Sequence, residues 1–181
     1  MKKRRIVDTK ELDVIIHRLS HQILERNPNI KNVCFIGLQR RGVFLAERLK
    51  KILDKKEGVK IPLGVLDTTL YRDDLRMSAV TPVARNTKID FDINKKAIIL
   101  CDDVLNTGRT IRAAMDELMD FGRPKSIQLV VLVDRGGREL PIQPDFVGKM
   151  IPTSANEKVR VHLKEVEPQD EIVLVQRSMN D

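Results

Sequence analysis

The residues of this chain best suited to chemistry fall together in the stretch 98–110, IILCDDVLNTGRT. An apolar run leads into two adjacent carboxylates, Asp102 and Asp103, and then into a Thr-Gly-Arg-Thr turn. Gly108 allows a tight bend, and a helix opening near Thr110 turns its unpaired amides and positive dipole end toward the same point. Thr107 and Thr110 add hydroxyl donors, so the turn reads as a cradle for a single phosphate. Carboxylates accept hydrogen bonds from hydroxyl groups, and acids and turn together suit a ribose 5-phosphate. The plainer alternative is a solvated strand end with Thr107 capping the next helix. The patterns G-x-x-x-x-G-K-[ST] and G-x-G-x-x-G are both absent, so the turn is neither a Walker A loop nor a dinucleotide fingerprint.

These residues need a scaffold, and the hydrophobic pattern supplies one. DTKELDVIIHRLSHQILERN repeats Leu12, Ile15, Ile16, Leu19 and Ile23 at helical spacing, with Asp8 or Thr9 as the cap. NVCFIGLQRRGVFLAERLKKIL reads strand, turn, helix, the turn bracketed by Gly37 and Gly42. IPLGVLDTTLY reads as a strand, and RDDLRMSAVTPVARNTKIDFDINKK as a long functional loop or hairpin. KAIILCDDV and SIQLVVLVDRGG are apolar on both faces, as in the middle of a parallel sheet. RTIRAAMDELMDFG between them is a helix stopped by Gly122. DFVGKMIPTS, KVRVHLKEV and DEIVLV read as short strands. Strands alternating with helices predict an α/β domain over 1–181 with a mostly parallel central sheet flanked by helices. Ligands bind beyond the carboxyl ends of such strands, where GLQRRG, CDDVLNTGRT and VDRGG all emerge.

Bulk properties narrow the partners. A formal charge of +7 over 181 residues favours polyanions such as nucleic acid or phosphorylated small molecules, while 3% aromatic content supplies few stacking platforms. Cys34 and Cys101 sit in apolar runs and read as buried thiols of a reducing cytoplasm. No apolar run reaches the ~20 residues of a membrane span, and the basic start has no apolar segment behind it to make a signal peptide.

IILCDDVLNTGRT resembles the phosphoribosyl pyrophosphate (PRPP) motif of type I phosphoribosyltransferases. Within that family the chain is most similar to the PyrR-type pyrimidine operon attenuators with uracil phosphoribosyltransferase activity. The resemblance runs through HRLSHQILERN, GLQRRG, TLYRDDL, GRPKSIQLVVLVDRGGRELPI and GKMIPTSANEKVRV. It implies the family fold, with a small hood and a flexible loop, and conversion of uracil and PRPP to UMP and pyrophosphate. Asp102 and Asp103 then bind the ribose hydroxyls. Asn106, Thr107, Gly108, Arg109 and Thr110 hold the 5-phosphate, with Val104 and Leu105 leading into that site. Arg40, Arg41 and Gly42 form the pyrophosphate turn, and Tyr71 and Arg72 open the closing loop. Asp134 and Arg135 complete the nucleotide pocket, with Val159 near the base. Mg²⁺ is expected through diphosphate and ribose oxygens. Asn106 stands where the family often has an aromatic residue, and Gly137 where a larger one is common.

The family also implies regulation by UMP- or UTP-dependent binding to pyrimidine leader mRNA, and a homodimer or larger homo-oligomer. Arg18, His21 and Arg26 of the first helix, with Arg138 and Lys149, match its RNA surface. His17 and Gln143 lack the favourable contacts found there. A salvage transferase without an RNA role is the alternative.

Overall fold

The protein is described by a computed structural model covering residues 3–68, 87–154 and 156–176. Helix α1, Thr9–Arg26, opens on a capping box: the Asp8 carboxylate accepts from the Glu11 amide at 2.9 Å, and the Glu11 carboxylate accepts from the Asp8 amide at 3.2 Å. Its periodic apolar residues, Leu12, Ile15, Ile16, Leu19 and Ile23, are all buried. Strand β1, Lys3–Val7, precedes it in a stretch where the sequence pattern suggests no strand.

Five parallel strands make the main sheet: β2 (Val33–Leu38), β3 (Leu63–Leu66), β4 (Ala97–Leu105), β5 (Ser126–Asp134) and β6 (Phe146–Met150), in the order β3-β2-β4-β5-β6. Helices α2 (Arg41–Glu57) and α3 (Arg109–Asp120) follow β2 and β4. Strand alternation divides the core. Ile99, Cys101, Val130 and Leu132 pack with α1 and α2, while Ile98, Leu100, Leu129 and Val131 pack with α3. Both cysteines are buried and free, and burial pushes the Cys34 thiol up to about 11. At the end of α1, the buried side chains of Asn27 and Gln128 exchange hydrogen bonds of 2.9 and 3.0 Å, fixing the helix to β5.

Strand β1 joins β7 (Glu157–His162) and β8 (Glu171–Gln176) in a separate antiparallel sheet of order β1-β8-β7, which forms the small hood. Arg48 of α2 ties this sheet down. Its Nε and Nη2 donate to Glu165 at 2.8 and 2.6 Å, and its Nη1 and Nη2 donate to Asp170 at 2.9 and 2.7 Å. The segment IPLGVLDTTLY, expected as one strand, is strand only over Leu63–Leu66 within its described part. Tyr71, Arg72 and the loop they were expected to open lie outside the described residues.

The strand order fixes where a ligand can sit. From β2 the chain steps outward to β3, then returns across β2 to β4 and continues the other way through β5 and β6. The reversal opens a crevice beyond the carboxyl ends of β2 and β4.

Candidate active site

One side of the crevice is the turn after β2. Gln39 and Arg40 are exposed and joined by a cis peptide, and α2 starts at Arg41. The turn presses hard on the sheet. A Cβ at Gly42 would lie 2.2 Å from the Cys101 carbonyl oxygen, and one at Gly37 would lie 2.4 Å from Val43 Cα. Only glycine lets the helix start this close to β4, which brings Arg41 over the strand end carrying the acids.

Strand β4 continues through both acids to Leu105, so Asp102 and Asp103 are partly buried strand residues and not a solvated end. Asp102 accepts from the Asp103 amide at 2.9 Å, and Asp103 accepts from the Val104 amide at 2.9 Å. Burial pushes the Asp103 carboxyl above the ordinary carboxylate range. The charge of Arg41, the side-chain hydrogen bond shared with Asp102 and bonds from local backbone amides pull against that rise.

The next turn bends sharply at the head of α3. Gly108 has φ +91° and, as the N-cap of α3, brings no side chain to its first turn, where the Thr107 hydroxyl accepts from the Arg109 amide at 3.3 Å. The turn is pinned from outside: the Thr107 carbonyl accepts from the Glu139 and Leu140 amides at 3.0 and 3.1 Å, and Arg109 Nε donates to Glu139 at 2.6 Å. Thr110 stands in the first turn of α3.

The exit of β5 braces this arrangement. Asp134 accepts from the Gly136 amide at 3.0 Å and from Arg138 Nη2 at 2.6 Å. Burial alone would raise its carboxyl, but these two donors hold it below the ordinary range. Arg138 also donates to the Asn106 carbonyl at 2.9 Å and the Ile142 carbonyl at 2.8 Å. Its guanidinium thus connects the β5 exit to the start of the Gly108 turn.

A cleft of about 450 Å³ is lined by Arg41, Asp103, Val104, Asn106 and Arg135, and on the opposite wall by Lys158 to His162 and Glu167. Six residues selected from the sequence therefore meet in one cavity: Arg41, Asp103, Val104, Asn106, Arg135 and Val159. Arg41 Nη2 reaches Glu167 across it at 3.0 Å. The Nε atoms of Arg41 and Arg135 are buried without a hydrogen-bond partner among the described residues. Two unsatisfied guanidinium donors in one cleft suit an anionic ligand. Among the described residues no three His, Cys, Asp or Glu side chains converge into a metal cage, so a divalent cation here would take most of its oxygens from a substrate.

Lys158, Arg160, Val161, His162 and Glu167 were not anticipated. Their signal was the alternation in EKVRVH, which marks a half-buried strand but not what it faces. The residues suggested for RNA divide into two places. Arg18 donates to the Val147 and Gly148 carbonyls, Arg26 pairs with Asp145 at 2.9 Å, and Lys149 donates to the Ile6 carbonyl at 3.3 Å. With exposed His21 these follow the α1–β6 edge. Arg138 is apart from them, mostly buried against Asp134 and the Gly108 turn.

The phosphoribosyl transferase domain family matches residues 4–166. A "Bifunctional protein PyrR" of Caldicellulosiruptor bescii is 52% identical over 175 residues, covering 97% of this chain and 96% of that protein. One of Clostridioides difficile is 48% identical, covering 96% and 98%. Among solved structures, a hypoxanthine phosphoribosyltransferase of Trypanosoma cruzi superposes with a TM-score of 0.72 at 17% identity, covering 97% of each chain. Another from Staphylococcus aureus gives 0.71 at 19%, covering 96% of this chain and 92% of that one. At such identities these two structures speak to the fold alone.

Proposed function

The chain belongs to the phosphoribosyl transferase family and to its PyrR branch, and from that premise we propose a uracil phosphoribosyltransferase that also regulates pyrimidine genes. It converts uracil and PRPP to UMP and pyrophosphate, and it binds pyrimidine leader mRNA in response to UMP or UTP. The observation that carries the enzymatic reading is the cleft at the strand-order reversal, where Arg41, Asp103, Arg135 and Asn106, which leads into the Gly108 turn, converge.

Each part has a role in displacement at the anomeric carbon. The α3 amides and the Thr107 and Thr110 hydroxyls hold the 5-phosphate. Asp102 and Asp103 accept from the ribose hydroxyls and orient the ring. As pyrophosphate departs, the ribose gains oxocarbenium character and the leaving oxygens gain charge, which Arg41 and the exposed Arg40 stabilise. Arg135 and Val159 border the base and nucleotide end, and Asp134 acts through Arg138 to keep the turns in register. Asp102 and Asp103 would lie beside a Mg²⁺ brought in with the substrate, which would supply charge neutralisation on the diphosphate. Tyr71 and Arg72 retain their family role in closing the site.

The RNA reading is supported by the cations Arg18, Arg26 and Lys149 along one edge, with His21 among them. Arg138 links that function to the nucleotide turn. We place the protein in the cytoplasm as a homodimer or larger homo-oligomer; among the described residues no helix is long and apolar enough to cross a membrane. The deciding experiment is uracil-dependent PRPP consumption beside filter binding of leader RNA with and without UMP. Asp102→Asn is expected to impair PRPP use far more than folding, and Arg18→Ala/Arg138→Ala to weaken RNA binding. Unchanged PRPP affinity and turnover in Asp102→Asn would remove the ribose assignment.

A further inference from the structure

The outer face of the small sheet carries a charge pattern that the transferase reaction does not use. Residues directly opposite in an antiparallel sheet share a face. Lys3 and Lys158 therefore flank Val175, and Arg5 and Arg160 flank Val173. The other face carries Val159, Val161, Ile172 and Leu174 into the core. A strand spacing of ~4.8 Å and a two-residue rise of ~7 Å put the four cations on a patch of roughly 7 by 10 Å. All four are exposed, and none makes an ion pair or side-chain hydrogen bond with another described residue.

The acids nearby are engaged elsewhere. Glu171 pairs with His162 at 3.0 Å, Glu157 accepts from the Ser154 amide and hydroxyl, and Asp8 caps α1, with the charge of Arg5 adding only to the lowering of its carboxyl that the helix amides begin. Four like charges this close repel one another at physiological salt, and a polyanion relieves that repulsion. Val173 and Val175 are only 3% and 1% exposed, so the face offers no apolar side chain for a bilayer. It has no aromatic ring on which bases could stack. What remains is recognition of a phosphodiester backbone. The patch is also continuous with the α1–β6 edge through the Lys149 contact to Ile6 of β1, and Lys158 and Arg160 bring it to the mouth of the cleft.

We infer that this face is a second RNA-backbone surface, extending the α1–β6 edge across the small sheet; it rests on the RNA-binding part of the proposed function. Its contacts are to phosphates, so its contribution is independent of base sequence and strongly dependent on salt. RNA lying on it crosses the entrance of the nucleotide cleft, which gives nucleotide and RNA shared cations through which to influence each other.

The test uses the intact protein and Lys3→Gln/Arg5→Gln, two residues outside the catalytic and nucleotide-binding set. Filter binding is measured for pyrimidine leader RNA and for poly(A) of equal length between about 50 and 200 mM salt. The variant is expected to flatten the log–log salt slope by about 1.4–1.8 for both RNAs, with roughly ten-fold weaker binding at the higher salt. Uracil turnover is expected to stay unchanged, and Lys3→Arg/Arg5→Lys to keep the parental slope. Unchanged slopes for both RNAs would overturn the surface, as would a parent that binds neither RNA. A parent that binds poly(A) as well as the leader, with the variant weaker for both, would retain the surface and remove the gene-specific reading. Loss of binding to phosphatidylserine vesicles with unchanged RNA slopes would reassign the face to a membrane.

Discussion

The floor and the wall of the cleft solve different problems with different materials. The floor, at the ends of β2, β4 and β5, works with glycines, backbone amides and short acids packed against strands. The wall, on β7 and the turn that follows, works with long side chains: Lys158, Arg160, His162 and Glu167. On the floor, an added methyl group at Gly42 has nowhere to go. On the wall, Lys158 and Arg160 are exposed and make no ion pair with another described residue. Reacting atoms need fixed geometry, which tight backbone packing provides. A surface that meets different anions gains from side chains able to reorient, at a cost in rotamer entropy.

Substitutions that should sharpen this contrast can be ordered by size. Gly42→Ala, on the floor, should cost about 3 kcal/mol in urea unfolding, because its Cβ meets the Cys101 carbonyl and must push α2 off β4. Equal tolerance of alanine at Gly42 and at Lys158 would erase the distinction. Asp103→Asn should lower uracil kcat/KM by on the order of 100-fold, about 2.7 kcal/mol, while leaving folding intact. Its stability effect has a definite sign. Burial raises the folded-state carboxyl, so just above the ordinary carboxylate range the folded chain holds a proton that the unfolded chain has lost. This group therefore costs stability as pH rises through that window, and the thermal midpoint of Asp103→Asn near neutral pH should equal or exceed the parent's.

Arg48→Ala tests what keeps the wall in place and should cost about 2 kcal/mol, since it leaves Glu165 and Asp170 without their shared guanidinium. Both carboxyls would be raised by burial, yet hydrogen bonds from Arg48 and the backbone hold them below the ordinary range. Their contribution is present above the unfolded-state pKa and disappears as pH falls through the lowered values. Acid unfolding of Arg48→Ala should accordingly be flatter across that window, while a curve parallel to the parent's would deny the tether. Smallest is Gly108→Ala, about 1 kcal/mol from the left-handed backbone. Its signature should be a raised KM for PRPP beside a fall in melting temperature of only about 2–4 °C.

Floor and wall also differ in how far the sequence reveals them. Asp102 to Thr110 is contiguous, so its spacing alone suggested carboxylates beside an anion turn. The strands of the parallel sheet announce themselves by being apolar on both faces, as in Val33–Leu38. The wall has no such local code. KRRIV looks like a charged leader, and only pairing of Arg5 with Val173 makes it a strand. Arg138 matched a surface pattern, but its bonds to Asp134, Asn106 and Ile142 depend on how two turns fold together. Glu167 touches Arg41 through a long-range contact that no helical or strand period encodes.

The pairing of Lys3 with Val175 has a consequence in time. Strands β2 to β6, with their helices, can assemble as the chain emerges, each beside a neighbour already made. Strand β1 has no partner until β8 has been synthesised, an interval of roughly 10–30 s at bacterial elongation rates. The floor of the cleft can therefore take shape on the ribosome well before its wall. A nascent chain halted before Glu171 should carry the Gly108 turn without the completed hood, so the whole cleft waits for β8.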